Sequence, residues 1–140
     1  MKMYTLSFIF DSSFNLILME SDKFPGTFNG VGSSIEETDD RPTEVIAADH
    51  IFTKAGVKFS NETLPEEHFA TLMSDNGEFV VYCYRFMVDQ LGVQEDRDVN
   101  LIQVHYYELG AYADELSPYV LSLMNLAIDV PGGKGVTLIV

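Results

Sequence analysis

The chain has 140 residues, 46% of them hydrophobic and with ten phenylalanines and seven tyrosines, enough apolar mass for one domain with its own core. Its 22 acidic residues against 8 basic ones give a net charge of −14, a field that repels nucleic-acid backbones and attracts basic surfaces. No apolar run approaches the roughly 20 residues that span a bilayer, and residues 1–10 lack the basic start and small-residue cleavage site of a signal peptide, so a cytoplasmic protein is expected.

Residues 3–10 (MYTLSFIF) are β-branched and aromatic enough for a strand, 11–15 (DSSFN) supply turn residues, and 16–20 return as a second strand, which predicts a hairpin. The stretch up to residue 34 is rich in Gly and Pro, so it predicts a ligand-facing or partner-facing loop with a short strand over 28–33. Phe24, Phe28 and Asn29 lie there. Aromatic rings stack on any base, and they serve equally well as lids over a core. An acidic loop follows with Glu36, Glu37, Asp39 and Asp40. Four carboxylates in five residues can converge on a hard cation or simply repel one another and stay solvated.

Pro42, Thr43 and Glu44 open a helix, because Pro is tolerated in a first turn and an early acid suits the helix dipole; Gly56 ends it. Val45, Ala48 and Phe52 recur at helical spacing, with Ala47, Ile51 and Ala55 widening the face expected to be buried. Asp49, His50, Thr53 and Lys54 share the other side. A general-base role for His50 lacks an orienting partner in the sequence, and Lys54 four residues on disfavours its protonated form.

Residues 58–64 read as a short strand. Residues 68–74 and 78–88 flank Asp75, Asn76 and Gly77, and Asn followed by Gly is a strong hairpin signal. The second of these strands is apolar on both faces, with Phe79, Val81, Cys83 and Met87 on one and Val80, Tyr82, Tyr84, Phe86 and Val88 on the other, so it is expected at the centre of the sheet. The single cysteine, Cys83, can form no internal disulfide and reads as a small buried hydrophobe. His68 and His105 have no Cys or His at ligand spacing, which leaves a zinc site unsupported. Residues 90–100 form an acidic loop, 101–109 (LIQVHYYEL) a further strand, and 118–128 a helix with Val120, Leu123, Met124 and Ala127 inward. Residues 136–140 (VTLIV) are too apolar to be a free tail and should pair with a sheet edge, either the chain's own or that of a second copy in a homodimer.

From residue 24 to residue 57, a glycine-rich turn (Gly26, Gly30, Gly32) runs through the acidic loop into a helix closed by Gly56, and this outline resembles the Nudix box. HFATLMSDNGEFVVYCYRF (68–86) resembles the hairpin that follows the box, and LSPYVLSLMNLAID (116–129) the closing helix, in phage and bacterial members above all. The resemblance implies an α/β fold over residues 1–140 as one domain: a Nudix-like α/β/α sandwich with a mixed central sheet and two main helices. It also aligns Gly56 and Val57 with the end of the box. Asp49 then stands where the family has Arg, His50 where it has the first helical Glu, and Thr53 and Lys54 where it has the Glu pair. The upstream Glu falls on Arg41, or on Asp39 if two residues are inserted.

In the family those glutamates hold magnesium against a diphosphate, work that needs hard oxygen ligands. The expectation is therefore a catalytically impaired Nudix-fold protein without a required cofactor. It would bind a nucleotide-like ligand, or else a basic protein surface. Its ligand groove would be formed by Phe28, Asn29, Glu37, Asp39, Asp49, His50, Thr53 and Lys54. One alternative is an active pyrophosphohydrolase using magnesium or manganese, with Glu36, Glu37, Asp39 and Glu44 as ligands. Another is an acidic, phage-type inhibitor or nucleic-acid mimic acting in a host cytoplasm. Between residues 59 and 133 there are 13 acidic residues and only Arg85 and Arg97 to answer them, which keeps that last alternative open.

Overall fold

The computed structural model describes residues 1–21, 24–57, 66–89, 91, 100–129 and 135–140. The strand expected over 58–64 and most of the acidic loop expected over 90–100 lie outside the described residues.

Eight strands form one mixed sheet among the described residues. In chain order they are β1 (Lys2–Phe10), β2 (Asn15–Glu20), β3 (Phe28–Asn29), β4 (Val31–Ile35), β5 (Glu66–Met73), β6 (Phe79–Met87), β7 (Leu101–His105) and β8 (Val136–Ile139). Two α-helices, α1 (Thr43–Ala55) and α2 (Val120–Asp129), and a 3-10 helix (Tyr106–Glu115) complete the fold. β6 lies parallel to β1 from Lys2↔Phe79 to Phe10↔Met87 and antiparallel to β5, so it is the central strand that its two apolar faces predict. Gly77, at φ 72°, makes the turn that joins β5 to β6.

Strand alternation sends side chains to two cores. Phe8, Phe10, Leu16, Leu18, Phe69 and Cys83 meet Val120, Leu123, Met124 and Ala127 of α2, the four positions expected to point inward. Ile9, Ile17, Val31, Tyr84 and Phe86 meet Ala47, Ile51 and Ala55 of α1 on the opposite face. The result is the expected α/β/α layering. Arg85 crosses toward the α2 layer and donates from Nη1 to the Ala127 carbonyl near the end of that helix.

Four expectations are corrected. The β1–β2 hairpin is real but holds only Ile9↔Ile17 and Phe10↔Leu16, because β4 occupies the same edge of β1 from Met3↔Ile35 to Ser7↔Val31. The single strand expected over 28–33 is two strands, β3 on β2 and β4 on β1. The strand expected over 101–109 ends at His105, whose ring Nδ1 accepts from the Tyr107 backbone N–H at 3.2 Å, and the chain coils into the 3-10 helix. The buried stripe of α1 is Ile46, Ala47, Ile51 and Ala55, while Phe52 is 46% exposed. The last strand, β8, pairs parallel with β5 of its own chain from Ala70↔Val136 to Met73↔Ile139.

Candidate functional site

The short β1–β2 pairing has a consequence for the site. One edge of β1 is shared, β4 holding one end and β2 the other, while β2 continues past β1 to pair with β3 on that same edge and with β7 on its far edge. The sheet therefore forks beside β1. Gly32 makes this fork tight: a Cβ there would stand 1.9 Å from the Thr5 carbonyl oxygen, so only glycine lets β4 approach β1 this closely.

A cavity of about 460 Å³ opens at the fork. Tyr4, Thr5 and Leu6 of β1, Met19 and Glu20 of β2, and Asn29 and Gly30 before β4 line one part of it. Ser33 and Ser34 of β4, Lys54 of α1, Leu72 and Val81 of β5 and β6, and Ser117, Pro118 and Leu123 around the start of α2 line the rest. A second, polar cavity of about 560 Å³ lies next to it, lined by Glu36, Thr38, Asp39, Arg41, Asp49 and His50. Ser33 and Ser34 border both.

α1 positions the wall between them. Pro42 precedes it, Glu44 lies in its first turn, and Gly56 closes it in the left-handed region (φ 77°) with its N–H on the Phe52 carbonyl at 3.0 Å. Thr43 Oγ1 and the buried Tyr84 hydroxyl are hydrogen-bonded, tying the helix start to β6. His50 is the polar residue the helix turns inward, and its Nδ1 lies 2.6 Å from Thr5 Oγ1. Thr5 is only 2% exposed, so His50 has the orienting partner that the sequence did not reveal, from a strand 45 residues upstream. This hydrogen bond joins a residue of one cavity to a residue of the other. Burial lowers the His50 pKa; Asp49 and Asp39 oppose that shift, while Arg41 and Lys54 add to it.

Arg41 closes the polar cavity as a latch. Its Nε and Nη2 donate to Asp39 Oδ1 and Oδ2 at 2.9 and 2.8 Å, and Nη2 also reaches Asp49 Oδ2 at 3.4 Å. The guanidinium holds the Asp39 pKa down to about 2, and the two carboxylates raise that of Arg41.

The expected groove residues divide accordingly. Asn29 and Lys54 line the fork cavity, Asp39, Asp49 and His50 the polar one, and Glu37 and Thr53 neither. Phe28 packs against the α2-side core, and its carbonyl accepts from the Ser117 N–H at 2.8 Å, a structural post rather than an open stacking platform. Of the acidic loop, Glu36, Glu37 and Asp40 are exposed and Asp39 is committed to Arg41. Among the described residues, no three of His, Cys, Asp and Glu converge as a metal site would require. Tyr4, Glu20 and Ser33 belong to the site without having been singled out in the sequence; they reach it only through the fork.

Comparison with known proteins gives the arrangement its context. Neither a family model nor any curated protein matches the sequence. Solved structures do match. The Nudix domain of Shewanella oneidensis NrtR, solved with ADP ribose, superposes with a TM-score of 0.70 at 18% identity, over 91% of this chain and 86% of that one. The chain has the Nudix fold. The MutT protein of Bacillus halodurans agrees over 99% of this chain and 90% of its own, at a TM-score of 0.66 and 10% identity. A Francisella tularensis bifunctional NMN adenylyltransferase/ADP ribose pyrophosphatase, solved with AMP and manganese, gives a TM-score of 0.69 at 11% identity; the match covers 91% of this chain and 41% of that one.

Proposed function

We propose that this chain binds a nucleotide-like ligand in the fork cavity and does not hydrolyse it through a divalent ion. One observation carries the reading. Where the fold's enzymes need several carboxylates on one helix face, α1 offers Asp49, His50, Thr53 and Lys54. Asp49 is already bonded to Arg41, the His50 ring to Thr5, and Lys54 brings a positive charge. Magnesium and manganese take hard oxygen ligands at close range, and a cation this near an ammonium is repelled rather than held. The residues present do not fit the ion.

The ligand class rests on two supports. The cavity's volume lies within the roughly 300–1,000 Å³ usual for small-molecule sites, and it combines an apolar floor with a few polar groups. Two of the structures with the same fold were solved with such ligands, one with ADP ribose and one with AMP and manganese.

Incubation with ADP ribose and a panel of nucleoside diphosphate derivatives, with magnesium or manganese, tests the proposal by following phosphate-ester products alongside calorimetric binding. Binding without product is expected. Turnover that Glu37→Gln abolishes would establish the hydrolase alternative instead.

A further inference from the structure

We propose that the fork cavity recognises a ligand with two unlike ends, a phosphate held by Lys54 and a hydroxyl- or amine-bearing ring held by Glu20, with no metal ion between protein and phosphate. This deepens the function proposed above and rests on the fork cavity being the ligand site.

The argument begins with an imbalance. In a chain with 22 acids and 8 bases, a lysine normally finds a carboxylate. Lys54 is partly buried on the wall of the cavity, yet no carboxylate among the described residues lies within ion-pair distance of it. Arg41, the other cation at this site, is taken up by Asp39 and Asp49. Lys54 thus brings a positive charge to the cavity wall that no carboxylate among the described residues answers, and an anionic group entering the cavity finds its counter-charge there. Its influence is felt locally, since Lys54 is one of the charges that disfavour protonation of His50.

Glu20 supplies the opposite end. It lines the same cavity, and one of its oxygens accepts from the Gly26 N–H at 3.2 Å. A carboxylate has about four acceptor positions, so most of its capacity remains for ligand donors. Glu20 and Lys54 share a cavity but form no ion pair with each other. Tyr4, Leu6, Met19 and Val81 supply apolar surface in the same cavity. A molecule that satisfies both charges needs an anion at one end, hydrogen-bond donors at the other and an apolar face between them. A nucleoside phosphate has that form, and the lysine replaces the metal as its counter-charge.

Titration calorimetry with AMP, adenosine and inorganic phosphate tests this on the wild type, Lys54→Gln, Lys54→Arg and Glu20→Gln, each in EDTA and again in magnesium. AMP should bind the wild type equally well in both buffers. Lys54→Gln should weaken AMP at least about tenfold, the scale of one charged hydrogen bond, and leave adenosine unchanged, while Lys54→Arg retains most of the affinity. Glu20→Gln should weaken AMP and adenosine alike and leave phosphate unaffected. Melting temperatures equal to the wild type's show that the variants are folded, and Lys54→Arg tests the charge even if Lys54→Gln is not. AMP binding that is lost in EDTA, or that is indifferent to Lys54→Gln while adenosine still binds, overturns this inference alone. A wild type that binds none of AMP, adenosine and ADP ribose overturns the proposed function as well.

Discussion

Ile51→Ala is the substitution that most sharply tests how α1 is seated, and with it which residues reach the two cavities. Ile51 is 0% exposed and packs in the layer formed by Ile9, Ile17, Val31, Tyr84 and Phe86. Truncation removes three carbon atoms from a site walled by side chains that are themselves buried, so the hole can collapse only in part. Losses of this kind cost about 2–5 kcal/mol, and about 3 kcal/mol is expected here. For a chain of this size that is a fall in Tm of roughly 9 °C. Phe52, the next residue, is 46% exposed, and Phe52→Ala should cost less than about 1.5 kcal/mol. Urea unfolding followed by far-UV circular dichroism, with unchanged slopes, gives both numbers. If Phe52→Ala proves as costly as Ile51→Ala, the helix is rotated relative to the sheet. His50 and Lys54 would then not stand where the site requires them.

Three further outcomes follow from the same structure. His50 has a pKa lowered by folding, chiefly through burial, so the unfolded chain takes up its proton first; stability should be full above the unfolded value near 6.5 and decline as pH falls below it. His50→Gln should flatten that part of a stability-against-pH curve, and a curve unchanged by it contradicts the burial of the His50 ring. Burial pushes the Cys83 thiol up to about 12, so the native protein should react with a disulfide reagent only as fast as it opens; immediate stoichiometric labelling would place Cys83 at the surface. Deleting residues 136–140 removes one of the two strands paired with β5 and uncovers Leu72, so it should lower Tm while leaving the mass in solution unchanged; a halved mass would assign β8 to a contact between copies.

Much of the fold was legible because local chemistry and tertiary packing agree. Pro42 and Gly56 bracket α1 at its observed ends, Asn76 and Gly77 mark the β5–β6 turn, and the α2 positions expected inward are those that are buried. What was not legible depends on distant pairing. The sequence cannot show that β4 displaces most of β2 from the edge of β1, so the fork, and with it the roles of Tyr4 and Glu20, stayed hidden. The alternation of LIQVHYYEL reads as one long strand, and only the His105 ring capping Tyr107 reveals its early end. Asp49, His50, Thr53 and Lys54, which the spacing places together, all lie outside the buried stripe of α1. That Arg41 ties up two of the acids beside them, and that His50 bonds to Thr5, are facts of the assembled sheet and helix.

The most direct test of the central claim is a crystal structure of the protein grown with ADP ribose and magnesium present. The account predicts an intact ligand in the fork cavity, a phosphate oxygen within hydrogen-bond distance of Lys54 Nζ, and no ion coordinated by the polar face of α1. A cleaved ligand beside a magnesium ion held by Glu36, Glu37 or Asp39 would contradict it.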